Sequence, residues 1–318
     1  MPSEETRSGF QLIRRINLVV AVLIGIFSIS SNASGAQIDS SADASSTIYR
    51  MNQQSTYQRG CFPPCECPVS QTVTVRGTFV LTPGPMDGSF QTYSVSQVNW
   101  IVQSGDQELF FTGSGTYEIS QSGSPQQRLQ MDLQQGTQSA QHFDSGLVAT
   151  GAQFPDIAVT ISINGEKCFD TVFMVNALPV PSAEIQPYHL ILGSSMQHGC
   201  FPPCACPLGL RQPLTGNFVL VELPRTSKLR EFSVVNVSWV AAKASPPVSV
   251  SGYGFYRFGG GSAVKHELVM ELMVGDQAPT QFHSGLVPGG GSFPRIKAQI
   301  SINGKRCADT VIVVNASH

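Results

Sequence analysis

Charge is what this chain has least of. Its 318 residues carry 19 Lys and Arg against 21 Asp and Glu, 13% charged in all, where about 25% is usual for a globular protein. The formal net charge is −2. No basic stripe marks a nucleic-acid partner, and no acidic run offers itself to a cationic one. Histidine is scarce, at 6 residues, and tryptophan scarcer, at 2. A membrane-spanning helix needs about 20 apolar residues, and the longest apolar run here, residues 16–29, has 14. No amphipathic helix pattern follows it. The glycine runs at 259–261 and 289–291 match no phosphate loop and precede no helix, so they read as hairpin loops. Nothing calls for a cofactor.

What is present begins with a processing segment. Arg7, Arg14 and Arg15 stand ahead of or beside the short apolar run, and Ser34, Gly35 and Ala36 follow it. A basic start, a short apolar centre and a small-residue exit predict a cleaved signal over residues 1–36, with an uncleaved anchor at 16–29 as the alternative. A membrane enters only through that alternative. Residues 37–47 are small and polar and read as a flexible lead-in.

The stretch Cys61-Phe62-Pro63-Pro64-Cys65-Glu66-Cys67-Pro68 then organises everything after it. It returns as Cys200-Phe201-Pro202-Pro203-Cys204-Ala205-Cys206-Pro207. Sliding the chain until Cys61 falls on Cys200 aligns the two copies without a gap, and 44 of the 116 positions from Cys61 to Asn176 are identical. Trp100 falls on Trp239, and Phe154-Pro155 on Phe293-Pro294. The pattern predicts an internal duplication of a domain-sized unit. The expected organisation is a β domain over 48–177, a stiff Pro-rich linker over 178–185 and a second β domain over 186–318. Each domain is expected to fold on its own.

Both halves read as strand throughout. Candidate strands in the first half are 72–81, 91–102, 109–119, 126–134 and 167–175, separated by Pro83-Gly84-Pro85, Asp87-Gly88 and 122–125. Residues 157–163 and 296–302 alternate apolar with small or polar side chains, and Asn-Gly follows each run. The fold class this implies is all-β, a tandem pair of antiparallel sandwiches or barrels. A two-residue type I′ turn at Asn164-Gly165 would pair Ile161 with Cys168 and Val159 with Asp170. Asp170, and Asp309 in the second half, would then point to the apolar side. There each must accept backbone N–H groups or act as a functional acid.

Four cysteines per half in an oxidising compartment predict two disulfides per domain, a framework of Cys61, Cys65, Cys67 and Cys168, then Cys200, Cys204, Cys206 and Cys307. A tetrathiolate metal site is the competing reading, but a Cys-x-Cys step is tight for two ligands of one ion. Bridging Cys65 to Cys67 would close a very small ring. Cys61 to Cys65 must span two prolines, which in extended form hold the Cα atoms about 9 Å apart, beyond a disulfide's reach of about 7 Å unless a proline is cis. The remaining scheme pairs Cys61 with Cys67 and Cys65 with Cys168, and likewise Cys200 with Cys206 and Cys204 with Cys307.

No catalytic constellation is shared by the halves. The histidines do not repeat; the acids Asp132 and Glu271 fall together, as do Asp170 and Asp309. Ser145-Gly146 and Ser284-Gly285 lack the flanks of a nucleophile elbow and read as turns. Trp100 and Trp239 could stack a sugar, but Val98 and Val237 two residues away place them on a core face. The sequons at Asn236 and Asn315 read as chance. These features predict a secreted or cell-surface structural or binding protein with no evident catalysis. Its partner would be a surface or matrix component or a glycan. The alternatives are carbohydrate binding on a sheet face, and an extracellular hydrolase built from Asp144, His142 or His283 in one half.

Overall fold

The structure is a computed structural model describing residues 45–105, 107–120, 123–225, 228–260 and 264–318. The expected signal at 1–36 and the lead-in up to residue 44 lie outside the described residues.

The first half contributes β1 (Thr47–Met51), β2 (Thr56–Phe62), β3 (Val73–Asp87), β4 (Phe90–Ser104), β5 (Gln107–Ser120), β6 (Gln126–Gln135), β7 (Gln141–Asp144), β8 (Val148–Ala149), β9 (Ile157–Ser162) and β10 (Cys168–Pro179). A single 3-10 turn, Ser182–Glu184, precedes the second half. That half holds β11 (Ile185–Leu190), β12 (Ser195–Phe201), β13 (Gln212–Pro213), β14 (Thr215–Glu222), β15 (Leu229–Ala241), β16 (Val248–Gly259), β17 (Lys265–Val274), β18 (Thr280–His283), β19 (Val287–Pro288), β20 (Ile296–Ser301) and β21 (Cys307–Ser317). The fold is all-β and every pairing is antiparallel. No helix among the described residues is long and apolar enough to cross a membrane.

Both sheets close on themselves. In the first, pairing runs from β3 through β4, β5, β6, β7 and β9 to β10, and β1 bridges β10 back to β3. The weakest join is β7 to β9, a single pair of Asp144 with Ser162. The second ring runs from β14 through β15, β16, β17, β18, β20 and β21 to β11 and back. Closure leaves few open edges. Period-two alternation fills each interior: Leu129, Met131 and Leu133 of β6 face inward, as do Leu268, Met270 and Leu272 of β17.

Four disulfides join Cys61 to Cys67, Cys65 to Cys168, Cys200 to Cys206 and Cys204 to Cys307, with Cα separations of 5.1, 4.8, 5.1 and 4.9 Å. This is the expected pairing, but one premise behind it fails. Pro63–Pro64 and Pro202–Pro203 are cis, so the head segment is not extended.

Two further expectations are corrected. The Asn164-Gly165 turn is not a two-residue hairpin: Ile161 pairs with Phe173 and Val159 with Val175, five residues beyond the expected register. β10 begins instead by pairing with β2, where Asp170 lies opposite Gly60, and the intervening loop wraps the Asp170 carboxylate. Pro83-Gly84-Pro85 does not end β3. The strand continues across a register shift to Asp87, because Gln91 and Thr92 side chains donate to the carbonyls of Gly84 and Pro85. Between the halves, Val180 is buried with Ile48, Val80, Val221 and Val235, which come from both rings.

The rings also meet through polar groups. Arg76 Nε donates to Glu231 Oε2 at 2.6 Å and Nη2 to Glu108 Oε1 at 2.6 Å. Thr78 and Ser233 hydroxyls lie 2.5 Å apart. The Asn99 amide donates to Ser233 and to the Gly254 carbonyl.

Candidate functional site

The site begins with a slip in alternation. In β4 the register shifts between Val95 and Val98, and in β15 between Val234 and Val237. Each shift holds one residue in the left-handed region, Gln97 at φ 51° and Asn236 at φ 55°. The two positions align when Cys61 is set on Cys200, and the bulges face each other. Gln97 Nε2 donates to Asn236 Oδ1 at 2.9 Å, and the Asn236 backbone N–H donates to Gln97 Oε1 at 2.8 Å. A bulge re-aims the neighbouring side chains, and here it brings two outer sheet faces together.

Beside Gln97 opens a cleft of about 570 Å³. Its walls are matched. Thr112, Ser114, Asp132 and Gln134 line it from β5 and β6; their equivalents in the second copy, Ser251, Tyr253, Glu271 and Met273, line it from β16 and β17. Alternation explains which residues appear, since Asp132 and Glu271 are the outward neighbours of core residues. Glycine lets the strands pass: a Cβ on Gly113 would meet the Asp132 carbonyl oxygen at 2.1 Å, and one on Gly252 the Glu271 carbonyl at 2.0 Å.

No Lys or Arg lines the cleft, and Glu271 has no ion-pair partner among the described residues. Burial pushes its carboxyl above the ordinary value. The Tyr253 hydroxyl is pushed up to about 12, first by burial and then by the Glu271 charge, while hydrogen bonds with Thr112 and the Gly113 backbone oppose the shift. On the other wall Asp132 is exposed and lies 2.8 Å from His142 Nδ1. The arrangement can accept hydrogen bonds from hydroxyls or amines and can take a positive charge. Among the described residues no cluster of three or more His, Cys, Asp or Glu could hold a metal ion.

The other candidates lie elsewhere. Asp170 is 2% exposed and accepts backbone N–H groups from Ile163, Asn164, Glu166 and Thr171 at 2.6–3.1 Å. Asp309 does the same for Ile302, Asn303, Lys305 and Thr310. Trp100 and Trp239, 0% and 3% exposed, sit in the two cores, where no ring face is offered to a sugar. Ser145 and Ser284 hydroxyls accept from Leu129 and Leu268 N–H and donate to Gly146 and Gly285 carbonyls, so they fix turns. Asp144 is bound to Arg128 through two contacts of 3.0 and 2.5 Å. The amide nitrogen of Asn315 donates to Leu192 O.

Pairing Asp132 with Glu271 was readable in the sequence. Gln97, Tyr253 and Thr112 belong to no motif, and Asn236 stands out only as part of a sequon. Their signal was the slip itself: Val95 and Val98, and Val234 and Val237, are inward residues three apart where strict alternation requires an even spacing. Comparison with known proteins finds no matching family model, no matching curated protein and no matching solved structure.

Proposed function

We propose that this is a secreted or cell-surface binding protein, a tandem duplication of two disulfide-clamped β domains that perform no catalysis. Disulfide density suits an extracellular setting. The observation that carries the reading is the cleft, whose two walls use equivalent positions of the two copies, so that both halves serve one ligand. Its carboxylates, hydroxyls and amides, without a cation, suit an amine-bearing or hydroxyl-rich ligand. Carbohydrate binding would have to use this cleft, since the tryptophans are withdrawn into the cores.

Calorimetry on the full chain tests the reading, with spermine, a lysine-rich peptide and a neutral oligosaccharide as probes. At least one should bind, and Asp132→Asn with Glu271→Gln should weaken it about tenfold or more. Binding indifferent to both substitutions, or no binding by any probe, would remove the cleft from the function.

One observation favours a second reading. Asp132, on the cleft wall opposite Glu271, is paired with His142 just outside the cleft, which is the kind of gathering a one-sided hydrolase would need. Ester, glycoside and peptide turnover abolished by His142→Ala would establish it.

A further inference from the structure

The second ring carries an aromatic cage filled by the chain itself. Phe258 of β16 stacks on Phe293 with centroids 4.5 Å apart and planes 9° apart. Phe232 lies 5.2 Å from Phe293. The Arg230 guanidinium covers all three rings at 5.0, 5.6 and 5.1 Å and is held by Glu222 at 2.9 and 2.8 Å.

The first ring has the same frame with its filling missing. The positions equivalent to Phe232, Phe258 and Phe293 are Tyr93, Ile119 and Phe154. Arg230 faces Phe258 across β15 and β16, as Gln91 faces Ile119 across β4 and β5. Tyr93 lies 5.5 Å from Phe154, matching the Phe232–Phe293 contact. The third aromatic position holds Ile119; Tyr117 lies along Phe154 instead, with centroids 6.3 Å and planes 16° apart, a wider stack than the 4.5 Å of Phe258 on Phe293. Gln91 does not fill the space, because its amide donates to the Gly84 and Thr92 carbonyls at 2.7 and 2.9 Å. A cavity of about 450 Å³ opens against Ile119 and Phe154, closed by Pro125 and residues 150–153. Among the described residues no charged side chain lines it.

We propose that this crevice is a binding site for a neutral aromatic small molecule, whose ring stacks on Phe154 as the Phe258 ring stacks on Phe293. Stacked rings 4.5–7 Å apart gain beyond their buried area, and a crevice that sets Ile119, Pro125 and Phe154 beside Thr150 and Gln153 suits a flat ring that also carries a hydrogen-bonding group, as the indole N–H does. The chain supplies the template for the occupant, and the cavity is large enough for an indole.

Indole is the probe, with cyclohexanol and glucose as controls, titrated into the full chain and followed by NMR. Indole should bind with a stoichiometry of one and show nuclear Overhauser contacts to Ile119 methyl and Phe154 ring protons. Ile119→Phe should supply the missing ring from within and weaken indole at least tenfold while the melt stays cooperative. Phe154→Leu should weaken it comparably by removing the stacking face. If Ile119→Phe fails to fold, the wild-type contacts and Phe154→Leu decide. The proposal is overturned by contacts that map elsewhere, by indole binding unchanged in the folded variants, by cyclohexanol or glucose binding as well as indole, or by no indole binding.

Discussion

A single carboxylate can set the course of a connection, and Asp170 does so. Four N–H donors converge on it, from both sides of the loop between β9 and β10. Hydrogen bonds to a charged group contribute more than neutral ones, and removing the acceptor leaves the donors buried. Asp170→Ala should therefore lower unfolding free energy by roughly 2–4 kcal/mol, with Asp170→Asn costing less; urea titration of both variants checks the order. His266 offers a pH-dependent counterpart. It is buried against Tyr256 and Gly290 with Nδ1 unpartnered among the described residues, and burial holds its pKa below the ordinary value. The unfolded chain takes up a proton first as pH falls below about 6.5, while the folded chain resists. The stability contributed by the neutral ring is thus full above that pH and is lost as pH falls through the folded pKa. Position 127, the counterpart of 266, holds a glutamine that donates to Ala158 O and accepts from Tyr117. His266→Gln should flatten this part of the melting-temperature profile below about pH 6.5; an unchanged slope would mean His266 does not contribute.

Among elements, the disulfides divide into two kinds. Cys65–Cys168 and Cys204–Cys307 close sequence separations of 103, whereas Cys61–Cys67 and Cys200–Cys206 close separations of 6. In the chain-entropy account the longer loop restricts the unfolded state more, by roughly 2–3 kcal/mol for this difference. Replacing Cys65 and Cys168 by Ser should lower the calorimetric melting temperature more than replacing Cys61 and Cys67, and the reverse order would argue that local head geometry dominates. The strands between these bridges were readable because alternation at 126–134 and 157–163 survives almost unchanged as β6 and β9. β2 was not, since Thr56–Phe62 alternates poorly and contains the head cysteine. The register of β10 was hidden for a related reason: Asn164-Gly165 carries a hairpin signal, but the loop is set by a carboxylate and a disulfide that act from outside it.

At the scale of the molecule, the two rings are fastened by buried side chains from each. The return of the Cys61 motif at Cys200 and the prolines at 179 and 181 suggested two bodies on a linker. The residues that fasten the rings gave no such hint, because they do not repeat. Arg76 falls on Thr215, Glu231 on Thr92 and Arg257 on Glu118. Arg76 and Glu231 are almost wholly buried, 3% and 2% exposed, and Glu108 and Arg257 complete the cluster. Arg257 nitrogens lie 2.7, 3.0 and 3.2 Å from Glu108, Glu231 and Glu267. The first two are ionic contacts without aligned hydrogen bonds, and the guanidinium is sandwiched near the rings of Phe110 and Phe255. Two cations here face three carboxylates, so the two ways of removing a charge are not equivalent. Arg76→Met leaves Glu231 with Arg257 as its one cation and should cost about 3–5 kcal/mol, the range for breaking a buried pair. Glu231→Gln leaves two arginines against Glu108 and Glu267 and should cost less. Replacing Arg76 by Met and Glu231 by Leu together should recover much of the loss, since apolar replacement of a buried pair is often close to neutral. Guanidinium melts of the three variants test this order. A double variant no more stable than Arg76→Met would show that the ions fix the mutual seating of the rings rather than merely neutralising one another.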